Sequence, residues 1–207
     1  MNNPIFTIGH SGHDAESFLA LLSRWSIRAV ADVRSSPYSG RYPTYNKKPL
    51  AALLGKNGIA YIFMGRELGG RPGDKNLLTG GRPDFRLVAE TLAFKNGIAA
   101  LVETGKTMKT ALLCAEKEPL DCHRTLLVSR ALAKKGVPVV HILADGSAEP
   151  HEETVKRLFA LHRREETDLF LSREELLDIV FALQEKKIAP SARTAGEAEG
   201  GGRLWET

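Results

Sequence analysis

One short stretch of the chain, CAEKEPLDCHR, holds several of the groups that could carry chemistry. Cys114 ends an apolar run, and Cys122, His123 and Arg124 follow where a helix is predicted to start. The start of a helix presents free backbone N–H groups and a partial positive charge, which attract anions and lower the pKa of a thiol. The stretch therefore predicts an anion site, a reactive thiol at Cys122, or both.

Structural interpretations of the same residues compete with these. Asp121 is placed to cap the helix, so the three residues after it could simply form the first helical turn. Free cysteine is most often a small core residue, and this alternative is stronger for Cys114, which lies inside an apolar strand end. The spacing argues against a cysteine phosphatase, whose thiolate and arginine share one tight loop, because Cys114 is too far from Arg124 and Cys122 too close.

Polar residues also follow two other apolar runs, at 9–11 and at 32–34. Asp32 and Glu116 are candidates for proton transfer. As structural alternatives, Glu116 could be only a solvated turn residue, and Asp32 could form an ion pair with Arg34 or Arg124. The predicted catalytic residues are Cys122, Glu116 and Asp32. The predicted anion- and substrate-binding residues are His10, Ser11, Arg34, Arg41, Tyr42, His123 and Arg124.

A metal site could draw on the thiols and imidazoles of Cys114, Cys122, His123, His10 or His13. A paired, closely spaced motif of the zinc-finger type is not found in the sequence. We therefore predict no metal ligand and identify no cofactor.

Two long segments are functional candidates, since long loops in a compact domain usually carry function or are disordered. Residues Arg34–Lys48 contain four cations, no acid and three tyrosines. Aromatic rings between cations can stack bases, but tyrosines of a proline-rich loop can also pack on the body of the domain. Residues Gly65–Arg86 are rich in glycine and arginine and match neither a P-loop nor a G-x-G-x-x-G pattern.

The elements that must position these residues alternate between strands and helices. The predicted strands are Ile5–Ile8, a run ending near Val33, Ile59–Met64, KTALLCA (109–115) and VPVVHIL (137–143). Helices are predicted after the caps Asp14 and Asp84, from about Ile98, and over Thr125–Lys135. This alternation predicts an α/β fold, a single domain with an open, mainly parallel sheet of about five strands flanked by helices.

The order of the strands decides whether the candidate residues meet. Ligands of an open parallel sheet bind beyond the carboxyl ends of the strands, which is where the candidates fall. We expect strand one in the middle of the sheet, with strands two and four on either side. That order would gather the candidate residues around one crevice.

The chain as a whole is typical of a soluble globular protein, with 207 residues, 43% hydrophobic and 26% charged. We expect an α/β domain over residues 1–150, a C-terminal helical extension packed on it over 151–188, and a disordered tail over 189–207. Ser172 and Glu175 form a predicted capping box in that extension. The net charge of +4 is a weak indication of anionic partners.

The two cysteines are too few for a disulfide framework, and we expect both to be reduced in the cytoplasm. No signal peptide or membrane-spanning run is expected. The oligomeric state is not predicted.

The blocks TIGHS, DVRSSPYS, ELGGRP and CAEKEPLDCHR together resemble the signature blocks of the domain of unknown function 488 family. The resemblance covers roughly residues Ile5–Leu143 and implies an α/β domain whose blocks form one site. It gives no activity. The motif positions that it carries over, without roles, are Gly9, Ser11, Asp32, Arg34, Pro37, Cys114, Glu116, Pro119, Cys122, His123 and Arg124.

Our leading hypothesis from the sequence is an enzyme that acts on a phosphate-bearing substrate, a nucleotide or nucleic acid, in a crevice at the strand ends. Arginines would bind the anion, Asp32 or Glu116 would move protons, and Cys122 would be a nucleophile or redox thiol. One alternative is a non-catalytic module that binds nucleic acid or a partner through the segment Arg34–Lys48. The other is a metal or redox-thiol protein.

Overall fold

The computed structural model describes residues 3–188 of the chain. Its strands are β1 (Ile5–Gly9), β2 (Ala29–Asp32), β3 (Ala60–Phe63), β4 (Leu78–Thr79), β5 (Arg82–Pro83), β6 (Thr110–Cys114), β7 (Val139–Ile142) and β8 (Ala148–Pro150). Six of them form one sheet in the order β3-β2-β6-β1-β7-β8, and β4 and β5 form a separate ribbon. Within the sheet, the edge strand β8 is antiparallel to β7 and the other pairs are parallel. The predicted α/β class and mainly parallel sheet are confirmed.

The helices are α1 (Ala15–Arg24), α2 (Lys47–Lys56), α3 (Gly65–Leu68), α4 (Phe85–Glu90), α5 (Leu92–Thr107), α6 (Arg130–Lys134), α7 (His151–Leu161) and α8 (Arg173–Ile188). A π-helical turn, Arg124–Ser129, runs directly into α6. Asp14 and Asp84 cap α1 and α4 as predicted. Ser172 and Glu175 exchange hydrogen bonds at the start of α8, which confirms the capping box. Helix α2 was not predicted, and it takes Lys47 and Lys48 out of the loop.

The sheet is buried on both faces, which is why its central strands are continuous apolar runs in the sequence. All five residues of β1 and of β6 are buried. One face packs against α1 and α2 through Phe18, Leu22, Leu50 and Leu54. The other face packs against α4, α5, the π-helical turn, α7 and α8.

The strand order differs from the order expected from the sequence. Strand four of the prediction, β6, lies between β1 and β2, and β7 lies on the far side of β1. The expectation that strand one separates strands two and four is therefore wrong. β1 and β6 are both buried apolar runs of equal length, so their pattern does not distinguish the two central positions. The carboxyl ends of β1, β6 and β2 are nevertheless adjacent.

Helices α7 and α8 complete the second face of the core. Leu158, Phe159, Val180 and Phe181 are buried in its apolar cluster. Gln184 of α8 is fully buried and donates a hydrogen bond from Nε2 to the carbonyl oxygen of Leu120, at 2.9 Å. The domain division at residue 150 stays a prediction, and the predicted tail lies outside the described residues. Within residues 3–188, no helix is long and apolar enough to cross a membrane.

A buried histidine pair links β7 to α7. His141 Nδ1 lies 2.8 Å from the hydroxyl of Thr7, and His141 Nε2 lies 3.0 Å from Nδ1 of His151. Burial lowers the pKa of His151 to about 4. Burial, reinforced by the positive charges that His151 and Arg124 can bring, lowers the pKa of His141 well below its ordinary value. Both imidazoles are therefore held neutral in the folded protein.

This pair should make the fold sensitive to mild acid. Below pH 6.5 these histidines bind protons in the unfolded chain but stay neutral in the folded protein. The free energy of unfolding therefore falls as the pH drops towards 4. The variant His151→Asn should make that fall shallower, by up to about 3 kcal/mol. Urea unfolding of both proteins at pH 7.5 and 4.5 measures the difference. An unchanged pH dependence in the variant would contradict the assignment.

Candidate functional site

A crevice of about 500 Å³ lies at the carboxyl ends of β1, β2 and β6. His10 and Ser11 follow β1 along its wall, Arg34 follows β2, and Cys114 and Glu116 come from the end of β6. Its other polar lining residues are Ser35, Ser36, Tyr38, Ser39, Arg41, Tyr42, Arg71, Asp121 and His123. The volume falls within the range of small-molecule sites, and the position is the one that open parallel sheets use for ligands.

The floor of the crevice carries two thiols and one imidazole, here called the Cys–Cys–His cluster. The Sγ atoms of Cys114 and Cys122 lie 3.6 and 3.8 Å from Nδ1 of His123. All three atoms lie within 4.8 Å of one another. Both cysteines are free and buried. Cys114 and His123 line the crevice, and Cys122 lies behind them with 1% of its surface exposed.

The ring of His123 is fixed in direction. Its Nε2 lies 2.9 Å from the carbonyl oxygen of Val33, at the end of β2. A carbonyl can only accept, so Nε2 carries the hydrogen and, in the neutral ring, Nδ1 presents its lone pair to the sulfurs. The hydrogen bond therefore decides which ring nitrogen meets the thiols.

The surroundings of the two thiols shift their pKa values in opposite directions. Burial raises the pKa of Cys114, and its hydrogen bond to Cys122 and the charge of Glu116 raise it further. For Cys122, the hydrogen bond from Cys114 and the positive charges of Arg124 and His123 outweigh burial and place the pKa well below its ordinary value. Burial also raises the pKa of Glu116, whose Oε2 lies 3.0 Å from Cys114 Sγ. Of the two thiols, Cys122 therefore has the lower pKa.

Arg124 lies beneath the crevice and does not line it. Its side chain is fully buried, and its guanidinium donates to the carbonyl oxygens of Glu116 and Lys117. Its Nε–H donates to the hydroxyl of Thr7 at 3.2 Å. The backbone N–H of Arg124 points at Cys122 Sγ, at 3.4 Å, so the start of the helix faces a sulfur of the protein. Arg124 is predicted to bind an anion, but it is buried and each nitrogen of its guanidinium already donates to the protein.

The predicted helix cap at Asp121 is wrong. Asp121 belongs to a short 3-10 turn, Pro119–Asp121, which is capped by Glu118 through the N–H of Leu120. The π-helical turn begins three residues later, at Arg124, and has no side-chain cap. Its N-cap position is occupied by His123, whose ring is turned towards the cluster.

Asp32 and Arg34 form a buried ion pair beside the cluster. Arg34 donates from Nε and Nη2 to the two carboxylate oxygens of Asp32, at 2.9 and 2.7 Å. Tyr61 adds a hydrogen bond from its hydroxyl to Asp32, at 2.7 Å, and burial, with the Asp32 contact, raises the pKa of that phenol. Asp32 has no exposed surface and is not in the crevice wall, whereas Arg34 keeps an edge there. This geometry matches the structural alternative of the sequence analysis, in which Asp32 pairs with Arg34 and takes no part in proton transfer.

His10 sits between this ion pair and the crevice. Its ring stacks on Tyr45, with centroids 4.3 Å apart, and its Nε2 lies 3.2 Å from Nη1 of Arg34. Burial and the charge of Arg34 lower the pKa of His10 to about 4. The guanidinium can only donate, so Nε2 accepts and the hydrogen is on Nδ1. Among the described residues this buried Nδ1 has no hydrogen-bond partner.

The rim of the crevice carries its exposed cations. The guanidinium of Arg41 lies over the ring of Tyr42, 5.4 Å from the ring centroid. Both residues belong to the segment Arg34–Lys48, which the sequence predicts as a functional candidate. Arg71 also lines the crevice and was not predicted. Its backbone N–H donates to the hydroxyl of Ser35, at 2.9 Å. The glycine-rich block ELGGRP that contains Arg71 was the available signal.

Two glycines allow the segments to meet. A Cβ at Gly9 would lie 1.8 Å from the carbonyl oxygen of Glu116, one of the acceptors of Arg124. A Cβ at Gly70 would lie 2.6 Å from the ring of His123. The motif glycines therefore bring β1 and the ELGGRP block against the site at distances that a side chain would prevent.

The fold and site define an α/β protein with a ligand-sized crevice at the carboxyl edge of its sheet. A family model described as a domain of unknown function, DUF488, matches residues 14–131, so the chain belongs to the DUF488 family. A search of curated proteins and a search of solved structures each found no match.

Removal of the buried guanidinium of Arg124 should destabilise the fold around the site. In the variant Arg124→Met, the carbonyl oxygens of Glu116 and Lys117 lose their donors inside the protein, which should lower the free energy of unfolding by about 3 kcal/mol or more. Urea unfolding measures the loss, and Arg28→Met, at an exposed arginine, serves as control. Equal stabilities of the two variants would contradict this role.

Proposed function

We propose that this protein is an enzyme that acts on a small phosphate-bearing substrate of nucleotide size. The observation that carries the proposal is the single crevice that combines exposed arginines at its rim with Cys114, His123 and Glu116 at its floor. Sites of this kind collect recognition groups and reactive groups around one ligand.

The cationic rim is available to an anion. Arg41 and Arg71 are exposed and line the crevice. Within residues 3–188, neither guanidinium has a carboxylate within 4.0 Å. A guanidinium grips phosphate oxygens through two parallel hydrogen bonds, so these two side chains replace Arg124 as the anion-binding pair.

Neutral donors add to this preference. The buried Nδ1–H of His10 has no partner among residues 3–188, and an acceptor oxygen of a ligand would supply one. The hydroxyls of Ser11 and Ser36 line the same crevice. Donors without carboxylate partners favour a ligand rich in acceptor oxygens, and phosphate is the most compact group of that kind.

Glu116 is the group assigned to proton transfer. It lines the crevice beside the cluster, whereas Asp32 is sealed off by Arg34 and Tyr61. Cys122 is covered by its neighbours and contacts the crevice only through the rest of the Cys–Cys–His cluster. Its role is therefore to set the charge of the cluster, and direct contact with a substrate falls to Cys114.

Anion binding can be measured before the substrate is known. Isothermal titration with pyrophosphate and with nucleoside mono- and diphosphates should detect binding to the wild type. The double variant Arg41→Ala/Arg71→Ala should weaken it by at least about tenfold, because each lost charge-assisted contact contributes roughly 1.5 kcal/mol or more. Arg28→Ala, outside the crevice, should bind like the wild type. Binding that survives in the double variant would overturn the proposal, and so would an absence of binding throughout the panel.

Binding and catalysis can then be separated. Glu116→Gln should retain the affinity for the best ligand of the panel and lose turnover, followed by ³¹P NMR of the phosphate signals. Tighter binding of oligonucleotides than of mononucleotides, with a steep salt dependence, would favour the non-catalytic nucleic-acid alternative. The exposed ring of Tyr38, at the crevice edge, would then be a stacking platform.

A further inference from the structure

We propose that Cys114, Cys122 and His123 bind one zinc ion, with one coordination position open to the crevice. The sequence alone predicted no metal ligand, because these residues do not follow a paired motif. The fold instead brings Cys114 from the end of β6 next to Cys122 and His123 from the turn before the π-helical segment.

The distances within the cluster match a shared ion. Zinc bonds of about 2.3 Å to sulfur and 2.0–2.1 Å to nitrogen, in a tetrahedron, place a sulfur roughly 3.6 Å from the nitrogen. The observed Nδ1–Sγ distances are 3.6 and 3.8 Å. The same geometry places two sulfurs roughly 3.8 Å apart. The limit of 4.8 Å for all three atoms accommodates that separation.

Glu116 Oε2, at 3.0 Å, can accept the hydrogen of the Cys114 thiol, but that contact does not explain why both sulfurs also approach Nδ1 of His123. In its neutral form, Nδ1 of His123 has one lone pair, which can accept from one thiol, yet both sulfurs are directed at it. A cation between the three atoms satisfies both sulfurs and the nitrogen at once. Two thiolates and a neutral imidazole also make the zinc site neutral overall, which reduces the cost of burying it.

The surroundings of the ligands are those that metal sites require. A metal-bound histidine usually donates its other ring N–H to a carbonyl or carboxylate, which orients the ring. His123 Nε2 does so to the carbonyl oxygen of Val33. The backbone N–H of Arg124 faces Cys122 Sγ and would stabilise it as a thiolate. These contacts exist independently of the cluster distances and support the same conclusion.

The open coordination position places the proposed zinc site in the catalytic class. Structural zinc sites have four protein ligands, whereas catalytic sites have three and leave the fourth position to water or substrate. Cys114 and His123 line the crevice, so the fourth position faces it. Glu116 lies next to Cys114, where its carboxylate can accept a hydrogen bond from a water bound at that position.

Cobalt(II) provides the direct test, since it occupies zinc sites and its thiolate bonds absorb in the near ultraviolet. The chain has only two cysteines, so such an absorption band reports this cluster. Titration of the reduced, metal-free full-length protein should show one equivalent bound, with the visible bands of tetrahedral cobalt. Zinc should displace the cobalt and remove both signals.

Matched variants locate the ligands. Cys114→Ser and Cys122→Ser should each lose about half or more of the thiolate band, and His123→Ala should weaken cobalt binding at least about tenfold. His13→Ala, an imidazole outside the cluster, should titrate like the wild type. Circular dichroism checks that each variant is folded.

Two results would overturn the proposal. One is a wild-type protein with two titratable thiols and no thiolate band at millimolar cobalt, a result that needs no variant. The other is a band that His123→Ala leaves unchanged in both affinity and intensity. Metal binding is measured without any phosphate ligand, so its failure is distinguishable from failure of the proposed anion-binding function.

Discussion

The buried guanidinium of Arg124 is the contact on which the geometry of the site depends. It joins Thr7 in the central strand β1 to the carbonyl oxygens of Glu116 and Lys117, which follow the neighbouring strand β6. The turn held in this way carries Glu116 to the crevice and sets the path to Cys122. Because the guanidinium is fully buried and each of its nitrogens donates to the protein, Arg124 acts as scaffold, and we propose ligand recognition for the exposed arginines at the rim.

Much of the fold could be predicted because its elements are locally encoded. The five parallel strands are apolar runs of the right length, and Asp14 and Asp84 cap helices through contacts within three residues. The strand order could not be predicted, since β1 and β6 have the same pattern and differ only in their partners. Helix α2 escaped notice because its sequence begins with two lysines and a proline, in continuation of a loop.

In the candidate site, the sequence predicts which residues lie near the strand ends but not which way their side chains face. The predicted set around one crevice was His10, Asp32, Arg34, Cys114, Glu116 and Arg124. His10, Arg34, Cys114 and Glu116 line the crevice, and Asp32 and Arg124 do not. The sequence did not distinguish side chains that face the crevice from those that face inward. Whether a charged residue near a strand end is sealed depends on distant partners, such as Tyr61 for Asp32 and Thr7 for Arg124, which local sequence does not reveal.

The buried amide of Gln184 has a consequence for how the site comes into being. It holds the carbonyl of Leu120, 64 positions earlier in the chain, in the turn that leads to Cys122. During synthesis, a ribosome-bound chain that already contains every polar residue of the crevice still lacks this brace. The turn between the two cysteines is therefore braced by α8 only after that helix has been synthesised and has docked.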